Sequence, residues 1–261
     1  MRRRMAKIGI MLVLACVLCV LVWSALGGTL PTWLRAIVPF GQTHQDATEL
    51  RAWSEAEAPN YYVVVGPAHI TERPEVGEVR YAELDALGRT GRVVACVDAQ
   101  LADEGKNRER QNMSDISPSG WGHNEKISIE LPNGGEYHGY MWNRSHLLAK
   151  SLGGLEIKEN LVCGTRMQNV GANRKGDKGG MAYPESLARD WLTSNPDGFV
   201  YYCATPRYRE ADLVCQNVVV DVLSSDGSLD CEVVVFNAAK GYEINYSDGS
   251  FAKTGALGSE G

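Results

Sequence analysis

The sequence predicts an α+β domain whose strands pair antiparallel. Three apolar-rich segments, residues 199–204, 213–222 and 231–237, follow one another toward the C-terminus, and Asp226-Gly227 turns the chain between the last two. Connections this short suit an antiparallel meander, because a parallel pair needs a long crossover. The best helix candidate, residues 181–192, precedes the meander and ends before a Ser-Asn-Pro sequence.

The segments before this helix are expected to form strands and turns. Residues 61–65 and 91–97 are rich in side chains that favour strands. Residues 81–89 fit a turn of helix or a tight connection, and the charged residues 103–112 fit a loop. Residues 126–142 alternate around a Pro-Asn-Gly-Gly turn, which predicts a two-stranded ribbon.

The folded domain is expected to span residues 58–255. Residues 242–251 fit an edge strand and a turn at its end. Residues 29–57 precede the domain as a juxtamembrane spacer, with a short helix near residues 49–57. No internal repeat or low-complexity segment divides the chain, so the sequence predicts one domain behind an N-terminal targeting segment.

Residues 1–28 are predicted to target the chain to a membrane. Three arginines and a lysine precede an uncharged apolar run, residues 8–26. Its length, at about 1.5 Å per residue, nearly matches a hydrocarbon core of about 30 Å, and the basic flank keeps the N-terminus in the cytoplasm. The run fits an uncleaved anchor, with Trp23 near its outer end, or a signal peptide cleaved near Gly27. Both alternatives place the domain outside the cytoplasm.

The remainder of the chain is acidic. The net charge of the whole chain is −6, and removing the four basic residues before the apolar run leaves −6 − 4 = −10. An acidic surface argues against broad, nonspecific adhesion to nucleic acid. Any contact with nucleic acid must therefore come from a local basic patch.

Five cysteines follow the apolar run, namely Cys96, Cys163, Cys203, Cys215 and Cys231. In an oxidising compartment this odd number allows two disulfides and one free thiol, in a pairing that the sequence does not define. The alternative is that several of them are buried apolar side chains. No Cys-x-x-Cys pair lies outside the apolar run, which argues against a zinc ribbon or a thioredoxin-type site.

Residues 139–185 hold side chains that suit the hydrolysis of phosphate esters. That reaction needs a base to activate water, positive charge for the transition state and neutralisation of the leaving oxygen. His146 can act as the base, because imidazole titrates near neutral pH. A Mg²⁺ ion can supply the positive charge, and it prefers oxygen ligands such as those of Asn169 and Glu185.

The order of these residues resembles that of a known family. Asn143-Arg144-Ser145-His146 is similar to the Asp-Arg-Gly-His signature of the DNA/RNA non-specific endonucleases, which have a ββα-metal (His-Me finger) fold. Asn160, Asn169 and Glu185 follow in the family's order and spacing. Further matches to the Gram-positive secreted branch extend the likeness over about residues 80–251. The resemblance implies an α+β domain with antiparallel sheets and a ββα-metal active-site motif.

The resemblance also implies a role for each matching residue. His146 would be the general base. Asn169 would be the direct protein ligand of Mg²⁺, with Mn²⁺ as the alternative, and Glu185 would orient metal-bound water. Arg144 would meet the charge of the phosphate or of the transition state, and Asn160 would support the site without touching the metal.

Two positions depart from the family signature. Asn143 stands where the family has Asp, which removes a negative charge near the cation and leaves this residue a supporting role. The change could weaken metal affinity or raise phosphate affinity, but it does not remove the base. Ser145 replaces Gly, which is a small change that need not block the site.

Basic residues near the site are the expected contacts for nucleic acid. Residues 173–178 form an inserted basic loop, which contributes Arg174, Lys175 and Lys178. Arg166, beside the metal-ligand segment, is the other candidate. Phosphate contacts of this kind position a nucleic acid without reading its sequence.

The leading hypothesis is an extracytoplasmic, Mg²⁺-dependent endonuclease that hydrolyses DNA without sequence specificity, with RNA as a second substrate. A catalytically silent nucleic-acid-binding module of the same fold is the alternative, and Asn143 is its support. A toxin nuclease ranks lower, because no delivery domain is visible in the sequence. The expected partners are nucleic acid and, for an uncleaved anchor, the membrane; the sequence indicates no protein partner.

Overall fold

The structure is a computed structural model that describes residues 52–131, 135–171 and 178–255. The predicted targeting segment and most of the predicted spacer lie outside these ranges. Within them, no helix combines the length and the apolar content needed to cross a membrane. The first described residues already contact the domain, since Trp53 stacks on Tyr61 at 4.7 Å and Glu55 Oε1 accepts a hydrogen bond from Lys240 Nζ at 2.8 Å.

Short strands and helices alternate along the described chain. The strands are β1 (Tyr62–Gly66), β2 (Val79–Tyr81), β3 (Val93–Asp98), β4 (Lys126–Glu130), β5 (Glu136–Tyr140), β6 (Trp142–His146), β7 (Leu161–Thr165), β8 (Phe199–Arg207), β9 (Asn217–Ser224), β10 (Asp230–Phe236), β11 (Tyr242–Ile244) and β12 (Phe251–Lys253). The α-helices are α1 (Ala99–Asn107), α2 (Arg166–Val170) and α3 (Ala182–Ser194), and two short 3-10 turns cover Lys150–Leu152 and Lys158–Asn160.

Six strands form the main sheet, in the order β1-β10-β9-β8-β3-β2, and each neighbouring pair is antiparallel. β8, β9 and β10 lie side by side, which confirms the predicted meander. Alternate residues of β9, such as Val218, Val220 and Val222, are fully buried in the largest core cluster, together with Ala188 of α3. The predicted fold class is confirmed as α+β with antiparallel sheets.

The charged segment 103–112, predicted as a loop, is partly helical, so that prediction is wrong. α1 begins after Asp98, whose Oδ1 accepts the Leu101 N–H at 2.8 Å. Its buried residue is Gly105, where an added Cβ would lie 2.1 Å from the carbonyl oxygen of Lys150. The helix packs through this glycine and carries few apolar side chains, which is why hydrophobic periodicity did not indicate it.

The predicted ribbon is present as β4 and β5, although its turn at residues 132–134 lies outside the described residues. The ribbon ends at Tyr140. Met141 is fully buried and separates β5 from β6, and β6 pairs with β7 instead. The stretch around His146 therefore lies on a second strand pair, which alternation along the sequence did not predict.

Three smaller predictions have different outcomes. Residues 81–89 form a tight connection, in which Asp85 Oδ1 accepts the N–H groups of Leu87 and Arg89 at 2.9 Å. Residues 242–251 contain the short strand β11 followed by a turn, as predicted, and β11 pairs with β12 in a sheet of two strands. The described part of the segment 49–57 contains a turn at residues 55–57 instead of a helix.

The five cysteines that follow the apolar run are all buried and free in the structure. These five cysteines therefore form no disulfide in the structure, and the other alternative, buried apolar side chains, describes them. Cys215 and Cys231 are part of the largest core cluster, and Cys163 belongs to a second cluster with Trp142 and Met167. The cysteines act as small apolar side chains.

Candidate active site

The stretch that holds the predicted base and metal ligand folds as one β6-β7-α2 unit. The two strands pair antiparallel, with His146 opposite Leu161. α2 follows β7 directly, and Thr165 Oγ1 caps it by accepting the Gln168 N–H at 2.9 Å. Gly164 allows β6 and β7 to pair this closely, because a Cβ there would lie 2.7 Å from the Cβ of Ser145 on β6. The strand–strand–helix order is the one that the ββα-metal motif requires.

Five of the predicted site residues line a single cleft of about 960 Å³. They are Asn143, Arg144, His146, Asn169 and Glu185. Glu185 comes from a separate helix, α3, which is joined to α2 where the Met181 N–H donates to the carbonyl oxygen of Gln168 at 2.7 Å. This contact brings Asn169 of α2 and Glu185 of α3 to one surface.

His146 lies at the end of β6, with its ring in the wall of the cleft. Nε2 is buried and has no hydrogen-bond partner among the residues that the structure describes. Burial lowers the pKa of His146 below its ordinary 6.5, while the nearby carboxylate of Glu156 opposes this effect and Arg110 adds to it. The imidazole is therefore neutral at neutral pH, which is the form that accepts a proton.

Asn169 lies on α2 and contacts the strand that carries the base. Ser145 Oγ, fully buried on β6, donates to Asn169 Oδ1 at 3.3 Å. An amide oxygen has two lone pairs, so this bond leaves one for a cation or another donor. The serine at position 145 thus contacts the predicted metal ligand.

Glu185 lies in the first turn of α3, and its side chain is only 14% exposed. Burial raises the pKa of Glu185 to about 7, and the positive charge of Arg189 opposes this. Arg189 lies one helical turn later, with Nη1 3.7 Å from Glu185 Oε2, and it also donates to Ser151 Oγ at 3.0 Å. Arg189 was not among the predicted site residues, although its i,i+4 spacing from Glu185 is a usable signal.

Arg144 is held by the protein itself. Its Nε donates to the carbonyl oxygen of Ile116, its Nη2 donates to that of Ser114 at 2.9 Å, and its guanidinium lies 4.2 Å from the ring centre of Trp121. These contacts tie the segment before β4 to the floor of the cleft. Arg144 still lines the cleft, so its contact with phosphate stays a prediction.

Asn160 is fully buried behind the site. Its Oδ1 accepts the Leu148 N–H at 2.9 Å, and its Nδ2 donates to the carbonyl oxygens of Leu148 at 3.0 Å and Leu155 at 2.7 Å. These bonds fix the chain just after His146, which fits a supporting role. The Nδ2 of Asn143, by contrast, is buried without a partner in the described part of the chain.

Comparisons with known proteins agree with this geometry. The family model for DNA/RNA non-specific endonucleases matches residues 73–248. The chain belongs to this endonuclease family. A deoxyribonuclease from Streptococcus dysgalactiae subsp. equisimilis is 32% identical to it over 242 residues, which cover 74% of this chain and 73% of the relative.

Solved nucleases share the fold. The Sda1 nuclease, solved with a bound zinc ion, has a TM-score of 0.73 and 33% identity, over 77% of this chain and 100% of Sda1. NucA from Streptococcus agalactiae, solved with no metal bound, has a TM-score of 0.52 and 25% identity, over 67% of this chain and 78% of NucA. A NucA structure with magnesium bound, at a TM-score of 0.53 and 22% identity over 70% of this chain and 82% of NucA, shows the fold alone.

Further charged residues of this endonuclease line the cleft and were missed in the sequence. Lys106 and Arg110 are exposed there. Glu156 is buried, and its Oε2 accepts the Gln111 N–H at 2.7 Å, which anchors the chain after α1. No local pattern marks these positions, because only the packing of α1 against the 3-10 turn at Lys150–Leu152 brings them to the site.

The predicted contacts for nucleic acid have mixed placements. Arg166 does not line the cleft; its guanidinium lies 5.4 Å from the ring centre of Tyr137, and burial lowers its pKa. Lys178 Nζ lies 3.2 Å from Asp190 Oδ2 on α3. Arg174 and Lys175 lie outside the described residues. Unlike Arg166, the basic side chains of Lys106, Arg110 and Arg144 line the cleft that holds the predicted base and metal ligand.

Proposed function

We propose that this endonuclease is metal-dependent and cuts DNA, with RNA as a second substrate, without reading the sequence. The observation that carries the proposal is that His146, Asn169 and Glu185 line one cleft. The side chains needed for a base and for an oxygen-ligated cation therefore meet at one surface. The deoxyribonuclease relative, at 32% identity, supports DNA as the main substrate.

The donor atoms of the cleft fit a hydrated divalent cation. In residues 52–131, 135–171 and 178–255 there is no group of three or more His, Cys, Asp or Glu side chains that could hold a metal ion. A Mg²⁺ ion needs few protein ligands, because it keeps several of its waters and takes oxygen ligands. We therefore propose Mg²⁺, with Mn²⁺ as the alternative, held directly by Asn169 and through water by Glu185. When bound, the cation would supply positive charge for the phosphate and for the leaving oxygen.

His146 would take a proton from the attacking water. Nε2 of the ring is buried without a hydrogen-bond partner among the described residues, so we assign the acceptance of the proton to Nδ1. The negative charge of Glu156 favours the protonated ring, and it would stabilise the imidazolium that forms as the water is activated. The low pKa of His146 keeps the ring in its base form before the reaction.

Fixed positive charge in the cleft would bind the phosphate backbone. Lys106, Arg110 and Arg144 line the cleft on a chain whose overall charge is negative. Contacts to phosphate carry no sequence information, which fits cleavage without sequence specificity. Binding through them should weaken as salt concentration rises, because each neutralised phosphate releases counterions.

We also propose that the domain acts outside the cytoplasm. The support is the basic flank and the apolar run at residues 8–26, which would serve as an anchor or as a cleaved signal peptide. Mass spectrometry of the mature N-terminus separates the two forms. A mature cytoplasmic protein that keeps residues 1–28 and does not associate with membranes would contradict the proposal.

Cleavage of plasmid DNA and of RNA tests the proposed function. The wild-type protein should cut with Mg²⁺ or Mn²⁺, and it should be inactive in EDTA. His146→Ala should lose about 10²- to 10⁴-fold in rate, which is the usual contribution of a general base. His138→Ala is the matched control, since His138 is an exposed histidine on β5 outside the cleft lining.

Two outcomes would refute the proposal. One is a wild-type protein that binds DNA or RNA but cuts neither of them with Mg²⁺ or with Mn²⁺. That result would support the catalytically silent module. The other is a His146→Ala variant that cuts as fast as wild type, which would remove the base from the mechanism.

A further inference from the structure

Three aromatic side chains line the cleft, and they differ in how much of the ring is open. Trp142 is 1% exposed, and its Nε1 donates to the carbonyl oxygen of Gly249 at 3.0 Å. Trp121 has Arg144 over its ring at 4.2 Å. Tyr140 is 52% exposed, which makes it the aromatic ring in the described cleft lining with the most open surface.

Tyr140 is held in place by the ribbon that carries it. It pairs with Lys126 across β4 and β5, and its carbonyl oxygen accepts a hydrogen bond from the Tyr137 hydroxyl at 2.9 Å. Lys126 Nζ lies 5.8 Å from the centre of the Tyr140 ring. The result is a positioned aromatic face beside an exposed cation, opening into a cleft that also contains Lys106 and Arg110.

We propose that Tyr140 forms a base-stacking subsite for a single-stranded stretch of nucleic acid, an inference that rests on the proposed nuclease function. Aromatic rings beside positive charge bind single strands, because any base can stack on the ring while the cations meet the backbone. In a duplex the faces of the bases are covered by their neighbours. The subsite therefore selects single strands, or duplex ends and distorted sites where a base is unstacked.

The proposed contact of Tyr140 is to a base and not to the phosphate that is cut, and Tyr140 lies on a strand pair other than the one that carries His146. Tyr140 lies six positions before His146, and an extended chain rises by about 3.3 Å per residue, which sets an upper limit of about 20 Å on the distance between their backbones. Nucleotides of a B-form strand rise by about 3.4 Å each, so the stacked base lies up to about six nucleotides from the bond that is cut. Tyr140 should therefore act on affinity and KM rather than on kcat.

Binding of short fluorescent oligonucleotides tests the subsite, in EDTA so that no cutting occurs. Tyr140→Ala should weaken the binding of a 12-nucleotide single strand by about 5- to 150-fold, which is the range for one base stacked on an aromatic ring. Tyr140→Phe, which keeps the ring, should restore the affinity. A relaxed, covalently closed circular duplex, which has neither ends nor unpaired bases, should bind both variants alike. Leu87→Ala, an exposed apolar side chain outside the cleft lining, is the matched control.

An oligonucleotide without bases separates stacking from a change in the fold. A strand of abasic sites should bind wild type and Tyr140→Ala equally, since it offers nothing to stack. If Tyr140→Ala weakens abasic, single-stranded and duplex ligands by the same factor, or weakens none of them, the stacking subsite is refuted. Failure of the nuclease proposal looks different, because it appears as an absence of cutting with metal whatever the residue at position 140.

Discussion

Replacing Glu185 with Gln should change how the stability of the metal-free protein depends on pH. Glu185 is 14% exposed, and burial raises its pKa from the ordinary 4.5 to about 7. A group whose pKa is higher in the folded state binds more protons there than in the unfolded state, at every pH between the two values. Its contribution to the free energy of unfolding is therefore complete below pH 4.5 and is lost as the pH rises through 7.

The size of this loss follows from the two pKa values. At pH 5 the folded carboxyl group is almost fully protonated, whereas the unfolded one is mostly ionised. With a pKa of about 7 in the folded state and 4.5 in the unfolded state, proton linkage gives a loss of roughly 2 to 3 kcal/mol between pH 5 and pH 8. Gln has the same size as Glu and no charge to bury. The free energy of unfolding of the Glu185→Gln variant should therefore not fall in this way as the pH rises.

Urea unfolding in EDTA, followed by tryptophan fluorescence, measures the difference. The free energy of unfolding of Glu185→Gln should rise by roughly 2 to 3 kcal/mol relative to wild type between pH 5 and pH 8. Glu130→Gln is the control, because it makes the same chemical change at a side chain that is 79% exposed. A difference between wild type and Glu185→Gln that stays constant across this range would refute the assignment of a buried, protonated carboxyl group.

Three further predictions concern other residues of the candidate site, namely His146, Asn160 and Asn143. The acid limb of kcat/KM should have its midpoint below pH 6.5, because burial lowers the pKa of His146; a midpoint above 6.5 in the pH–rate profile would contradict this. Asn160→Ala should lower the free energy of unfolding in urea by about 3 kcal/mol, because it removes three buried hydrogen bonds; a loss under about 1 kcal/mol would contradict it. Asn143→Asp should reduce the Mg²⁺ concentration for half-maximal cutting by up to about tenfold, because it replaces a buried N–H donor that has no partner among the described residues with a carboxylate. A variant with the same Mg²⁺ dependence of cutting as wild type would contradict an effect of this position on metal affinity.

Much of the fold was predictable because the signals for it are local. Runs of valine predicted β9 and β10, since β-branched side chains suit strands buried in a sheet. The start and end of α3 followed from its composition and from the Ser-Asn-Pro sequence that ends it. α1 was missed, because its packing depends on the contact between Gly105 and Lys150, 45 residues apart in the chain. A helix that packs through a glycine leaves no apolar stripe in the sequence.

The sequence by itself determined the family and the chain order of the candidate site, because His146, Asn169 and Glu185 keep the spacing of a known motif. Only the tertiary structure decided what surrounds them. The pairing of β6 with β7 brings the base strand beside the metal-ligand helix, and the packing of α1 brings Glu156 and the cleft cations to the base. These contacts join segments tens of residues apart, and their energy comes from burial and hydrogen bonding that exist only once the chain has folded. Local sequence patterns carry no trace of them.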